Sequence, residues 1–169
     1  WLHCDADPDL VFGGDVEDYS IVAGLRGEIG LGSGLTYDLS FTRGNSSVGF
    51  FINNTINASL GPNTPTSFRP GAYEQEDTNF NADFGYAIAN DMFASDINLA
   101  VGFEHRKEEF TITAGDPESF LIGPLSAASA AFPAGQGFSS SSNGFPGFTP
   151  AAAGSDSQKN YAVYGEVAA

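Results

Sequence analysis

From Tyr19 onward apolar and polar positions alternate along the chain. Tyr19, Ile21, Ala23, Leu25, Gly27 and Ile29 share one parity, while Ser20, Val22, Gly24, Arg26 and Glu28 share the other. This period of two is that of a strand with one apolar face. After the glycine-rich stretch 30–34 the pattern resumes, with Leu35, Tyr37, Leu39 and Phe41 against Thr36, Asp38, Ser40 and Thr42, which predicts an antiparallel partner joined by a short turn. Further along, Val48, Phe50, Ile52 and Ile56 take the opposite parity, and that flip predicts a bulge near Gly44 to Ser47. Two more alternating runs, Phe80 to Ile88 and Ile97 to Phe103, flank a tight turn expected at Asn90-Asp91, and a last one includes Tyr161, Val163 and Val167. The predicted strands are therefore about 19–29, 35–58, 78–89, 93–112 and 159–169.

Between these runs lie segments of another texture. Residues 1–18 are acidic and broken by Pro8, Gly13 and Gly14, and read as a loop. Residues 61–71 are dense in Pro, Gly and Asn, and 113–158 carry Pro, Gly and Ser with little alternation. A connection so far beyond the usual four to six or so residues is functional or disordered. Short and long connections thus alternate, the plan of an antiparallel up-and-down meander with one rim of tight turns and one of long loops. The fold class expected is all-β: a segment of a transmembrane β-barrel with long external loops. The first strand matches the roughly 9 to 11 residues that a tilted strand needs to cross a bilayer. Tyr37, Tyr86 and Phe93 would form one aromatic girdle, and Tyr19, Phe80, Phe110 and Tyr161 the other.

A soluble β-sandwich alternates too. What separates the two readings is the second parity, which a sandwich covers with Lys, Arg and Thr, but which here carries Gly24, Gly85, Gly102, Asn79, Asn81 and Asn98 with few bases. Small hydrophilic residues suit a wet lumen.

Composition narrows the function. With 6 Lys+Arg against 21 Asp+Glu among 169 residues, the formal charge is -15, so nucleic acid would be repelled. Fifteen Phe and six Tyr are too many for a disordered chain. One cysteine, Cys4, cannot form an internal disulfide. No run of 18 apolar residues exists, which excludes a transmembrane helix but is nearly blind to strands. The start at Trp1, without a secretory signal, reads as a processed chain or an excerpt.

Several stretches carry a family resemblance. NTINASLGPNTPTSFRPGAYEQEDTNFNADF, INLAVGFEHRKEEFTITAGDPESF and QGFSSSSNGFPGFTP before NYAVYGEV resemble the barrel of TonB-dependent receptors of Gram-negative bacteria. The closest pieces are Gly102-Phe103-Glu104-His105-Arg106-Lys107-Glu108-Glu109-Phe110, similar to a barrel strand of the family, and Gly144-Phe145-Pro146-Gly147-Phe148 in the following loop. The resemblance covers about residues 17–169 and is one of texture. It implies a cell-outer-membrane protein whose barrel of about 22 strands is closed by an N-terminal plug. Such a receptor imports a nutrient, a siderophore or glycan or the like, with energy from the TonB complex. The expected partners are outer-membrane lipid, the nutrient ligand and, through an N-terminal part missing here, the TonB complex. This chain carries no plug domain and five strands cannot close such a barrel, so it reads as a receptor segment with residues 1–18 as an acidic extracellular loop. The alternative is a secreted β-rich surface or filament-forming structural protein.

Candidate chemistry is sparse. No G-x-S-x-G elbow occurs and the two histidines, His3 and His105, offer few base pairs for a nucleophile, so no enzyme is expected. Asp5, Asp7 and Asp9 supply oxygens of the kind Ca²⁺ takes, without EF-hand spacing or its glycine; no other cofactor is implied. Adjacent His3 and Cys4 lack a second pair for zinc. On the lumen face, pairing Ile29 with Leu35 would set Arg26 opposite Asp38 in salt-bridge range; pairing about Asn90-Asp91 would set Asp83 opposite Asn98. Ligand contact is expected of the loop 113–158 through Phe138, Phe145 and Phe148, aromatics left on a loop among Gly, Ser and Pro.

Overall fold

The computed structural model describes residues 9–30, 34–92 and 95–169. Five strands follow in order: β1 (Val11–Ile29), β2 (Leu35–Asn53), β3 (Ser67–Ile88), β4 (Ile97–Ala114) and β5 (Gly154–Ala168). Short 3-10 turns occupy Ala58–Asn63 and Pro124–Ser126, and a single helical turn, α1, Pro117–Phe120. The strands pair in sequence order into one antiparallel meander with β1 and β5 at its edges. It is an open sheet and not a closed barrel.

Three strands begin earlier than the local sequence signals. β1 starts at Val11, inside the stretch read as an acidic loop; β3 starts at Ser67, inside the Pro/Gly/Asn-rich segment 61–71; β5 starts at Gly154 instead of near 159. Cross-strand pairing overrides turn propensity there. In turn, β2 stops at Asn53 and β4 starts at Ile97, short of the predicted 58 and 93. Part of the turn after β1 (31–33) and Phe93 of the predicted girdle lie outside the described residues.

By compactness the chain divides into two units. The first comprises Trp1–Glu17, Ser47–Glu74 and Thr111–Ser155, and the second Asp18–Ser46, Gln75–Phe110 and Asp156–Ala169. Every strand contributes a stretch to each.

In the second unit the register can be followed residue by residue. A side chain at Gly24 would meet Ser40, and one at Gly44 would meet Ser20, so β1 and β2 pair as the short turn requires, with Ile29 across from Leu35. In the first unit Gly13 faces the Phe51 ring, the same register, so β2 contains no inserted residue. The bulge predicted near Gly44 to Ser47 is absent, and the parity flip is a change in which face of β2 is apolar.

The irregularity lies in β3 instead. Arg69 reaches Asp15 at 3.0 Å and stands 5.7 Å from the Phe51 ring, whereas Tyr73 packs on Phe50 and Phe148. Residues four apart on a regular strand share a face, yet these two meet adjacent, opposite-facing residues of β2. Between them Gly71 has φ +128°, and a Cβ there would collide with the Thr113 carbonyl and the Phe148 ring. Pro70 precedes it, in the kind of irregular position where a strand tolerates a missing N–H.

β3 and β4 pair four residues away from the predicted register. A side chain at Gly102 would strike the Asp83 carboxylate, so Gly102, and not Asn98, faces Asp83. The cause is the turn. Asn90 Oδ1 accepts from the Met92 amide at 3.0 Å and Asn90 Nδ2 donates to the Ser95 carbonyl at 3.0 Å, an Asx turn that lengthens the connection. The slip is even, so each side chain keeps its predicted face.

Burial differs between the units. Ile52 and Phe68 are fully or almost fully buried in the first. In the second, Ala82 is the buried apolar residue among those described, while Leu25, Val101, Tyr161 and Val163 remain 62%, 51%, 67% and 76% exposed.

Candidate functional site

The first unit holds the long connection, and polar side chains order it. Asn57 and Ser59 are both wholly buried. Asn57 Nδ2 donates to the carbonyls of Glu118 and Leu121, each at 2.9 Å. Its Oδ1 accepts from the Ser59 amide at 3.2 Å and from Ser59 Oγ at 2.6 Å. Ser59 Oγ in turn accepts from the Gly123 amide at 2.7 Å. One asparagine thus uses both donors and its acceptor to join residues 57–59 to residues 118–123. Burial of an amide is tolerable only with such pairing.

A second set of bonds continues from α1. Ser119, also fully buried, donates through Oγ to the Asp116 carbonyl at 2.6 Å, and its own carbonyl accepts from the Ser142 and Gly147 amides, both at 3.0 Å. The Phe148 amide donates to the Pro70 carbonyl at 2.7 Å. Asp116 and Arg69 are clasped twice, Asp116 N to Arg69 O at 2.8 Å and Arg69 N to Asp116 Oδ2 at 2.7 Å. Thr55 Oγ1 donates to the Asn143 carbonyl at 2.8 Å, and the Asn143 amide donates to the Ile56 carbonyl at 2.9 Å. Hydrogen bonds from these side chains and amides to backbone groups order the segment.

These bonds deliver Phe145 and Phe148 to an aromatic cluster. Phe145 lies 4.9 Å from Phe12 of β1 and 5.5 Å from Phe50 of β2, between ring centroids. Phe148 stacks on Tyr73 of β3 at 4.8 Å, and the two loop rings meet edge to face at 5.8 Å. The apolar side of β2 that the flipped parity announced is the side these rings cover. Phe138 is elsewhere: its ring joins no ring contact among the described residues, and its carbonyl accepts from Ser126 Oγ at 2.8 Å. Of the three phenylalanines expected to contact ligand, two pack against strand aromatics and one stands apart.

Beside the Thr55–Asn143 tie is a recess of about 610 Å³ lined by Asp9, Leu10, Asn54, Thr55, Ile56, Thr66 and Asn143. Asn54 sits in the left-handed region at φ 58° and donates to the Asp9 carbonyl at 3.1 Å. Asp5 and Asp7 of the expected calcium cluster, with His3 and Cys4, lie outside the described residues. Asp9 is described, and no set of three His, Cys, Asp or Glu side chains converges as metal ligands among the described residues.

The second unit has two unlike faces. On the polar one, Asn81 Nδ2 donates to Ser40 Oγ at 3.4 Å, Thr36 Oγ1 to the Gly85 carbonyl at 3.1 Å, and Asn79 Nδ2 to Glu104 Oε1 at 3.3 Å. The Tyr164 hydroxyl donates to Asp83, and Gln158 to Glu108. Gly102 leaves the room that the Tyr164 ring and Asp83 occupy. Arg106 bridges Asp77 at 3.3 Å and Glu108 at 2.7 Å. Arg26 and Asp38 line one recess of about 680 Å³, but no ion pair joins them among the described residues. Their strands pair as expected, so the salt bridge fails at the side chains: an exposed pair gains too little to fix two flexible groups. Phe110 alternates with Glu108 and Arg106, which puts this member of the predicted girdle on the polar face.

On the other face the exposed apolar residues end at a line of charge. Arg43 pairs with Glu76 at 2.9 Å and Lys107 with Glu109 at 2.7 Å. His105 packs against the Tyr161 ring at 4.7 Å. Sequence reasoning assigned no role to Asn57, Ser59 or Ser119; nothing local distinguishes these from surface residues, since their partners lie about 60 residues or more away for Asn57 and Ser59. No protein-family model, no curated protein and no solved structure matches this chain.

Proposed function

We propose that this chain forms part of the wall of an outer-membrane β-barrel receptor of the TonB-dependent kind, which imports a nutrient ligand. The observation that carries the reading is the pair of faces in the second unit. One face exposes Leu25, Phe84, Leu99, Val101 and Val163 and is bordered by charged residues. The other carries Asn, Asp, Glu, Ser and Gly in hydrogen-bonded contact. A soluble sheet buries its apolar face and wets its polar one; a barrel wall gives the apolar face to lipid and the polar face to a lumen. That no described helix is long and apolar enough to cross a membrane has no bearing on crossing by strands. On this reading the ordered connection 115–153 belongs to the loop rim, and the recess beside Asn143 is the place where a ligand meets it.

The test uses brominated lipids. The full-length protein is folded into vesicles with a reporter tryptophan at Leu25 or Val163 in one set and at Ser40 in another. Bromine on the acyl chains should quench the first set strongly and the second little. Equal quenching sinks the wall assignment. In cells, loss of the gene should lower uptake of the nutrient only where the TonB complex works. The edges of β1 and β5, which no further strand covers among the described residues, also fit a second reading, a secreted β-rich surface or filament-forming protein. That reading gains if the protein assembles in water and ignores the vesicles.

A further inference from the structure

Of the six basic residues in the chain, three fall in one row. The pairings Ser40 with Asn81, Asp83 with Gly102 and Glu108 with Gln158, carried along the ladders, bring Arg43 of β2, Lys107 of β4 and Lys159 of β5 to one level. Alternation puts all three on the apolar face, just past Phe41, Phe103 and Tyr161. With strands about 4.8 Å apart the row spans roughly 14 Å, the scale of a lipid headgroup or two. Glu76 and Glu109 hold Arg43 and Lys107, and both lie within electrostatic reach of Arg43. Lys159 has no ion pair among the described residues.

We propose that the Arg43–Lys107–Lys159 row binds the phosphate headgroup of an anionic membrane lipid whose acyl chains lie along the exposed apolar face. The inference rests on the barrel-wall reading above. An acyl chain covering that face ends in a headgroup at the level of the row. Arg and Lys donate charge-assisted hydrogen bonds to phosphate oxygens, and the two carboxylates hold two of these cations in place. The same chemistry could serve a free phosphate, but a chain of net charge -15 repels a soluble multivalent anion. A lipid is retained by its chains, so it is the occupant we assign.

The experiment places the full-length protein in phosphatidylcholine vesicles containing a trace of spin-labelled phosphatidylglycerol or spin-labelled phosphatidylcholine and compares the motionally restricted fraction of each. Wild type should favour phosphatidylglycerol about fivefold, the contribution of one cation at a bilayer surface. The variant R43Q/K107Q/K159Q should lose the preference, and R26Q/R106Q, which alters the polar face, should keep it. Insertion is followed in the same samples by heat-modifiable gel mobility. Protein that does not insert overturns the wall reading and this inference with it. Protein that inserts without preference, or loses it equally in both variants, overturns this inference alone. Displacement of phosphatidylglycerol by millimolar inorganic phosphate overturns the lipid assignment in favour of a free-anion site.

Discussion

At the scale of single residues, Asn57 has the most to lose. Its amide answers two carbonyls, one amide and one hydroxyl in a site closed to water. Asn57→Ala removes those partners, and each buried group left unpaired costs about 1 to 3 kcal/mol. Asn57→Asp should be worse, because it aims a carboxylate oxygen at carbonyl oxygens. The check is hydrogen exchange: amides at 118–123 should lose protection while those at 97–103 keep it. Uniform loss, or none, would mean that Asn57 does not organise the connection. Gly71 is the second sensitive position. With φ +128° and the Thr113 carbonyl in the way of a Cβ, Gly71→Ala should cost on the order of 1 to 3 kcal/mol. An equivalent Gly49→Ala, where nothing lies within 4 Å of a Cβ, should cost clearly less in chemical denaturation.

At the scale of elements, β2 makes the sharpest statement. Leu39 and Ser40 are neighbours on one strand and face opposite ways, Ser40 toward Gly24 and Asn81. If the apolar face meets lipid, Leu39→Arg should cost about 2 to 4 kcal/mol near the bilayer midplane and Ser40→Arg far less. Folding into lipid vesicles against denaturant measures both, and equal penalties would refute the facing scheme. The β3–β4 hairpin teaches a different point. Its strands and faces could be read from alternation, but its register depended on where the turn closed, and that was decided by the Asn90 side chain bonding to both Met92 and Ser95. A turn of two residues and a turn of eight are consistent with the same flanking pattern.

For the molecule as a whole, the long connection separates into parts with different expected roles. Residues 128–134 are held mainly by local bonds, Ser129 with Phe132 and Gly135 with Phe132, whereas 115–123 and 142–148 carry the ties to Asn57, Pro70 and Ile56. If the proposed receptor function holds, deleting 128–134 from the full-length protein should leave ligand uptake near wild type. On the same proposal, deleting 120–150 should abolish uptake while the protein still inserts into membranes, as heat-modifiable mobility would report. If uptake survives the larger deletion, the connection is not the recognition element. Loss of insertion after the larger deletion would instead make Phe145 and Phe148 part of the sheet's own stability.

Alternation alone determined that this protein is a meander of strands, which residues share a face, and how β1 meets β2, because a period of two and a short turn leave one pairing that keeps apolar residues together. The parity change in β2 was also legible, though it marked a change of apolar face and not a bulge. Tertiary structure decided the rest. Pro70 and Gly71 read locally as a loop, yet pairing with neighbouring strands holds them in β3. The order of residues 115–153 follows from hydrogen bonds made by Asn57, Ser59 and Ser119 to groups far away in sequence for the first two, and polar side chains carry no periodic signal that would announce such partners. Arg26 and Asp38 mark the converse limit: register places them across from each other, but no ion pair joins them among the described residues, since the gain from an exposed ion pair is comparable with the entropy lost in holding it.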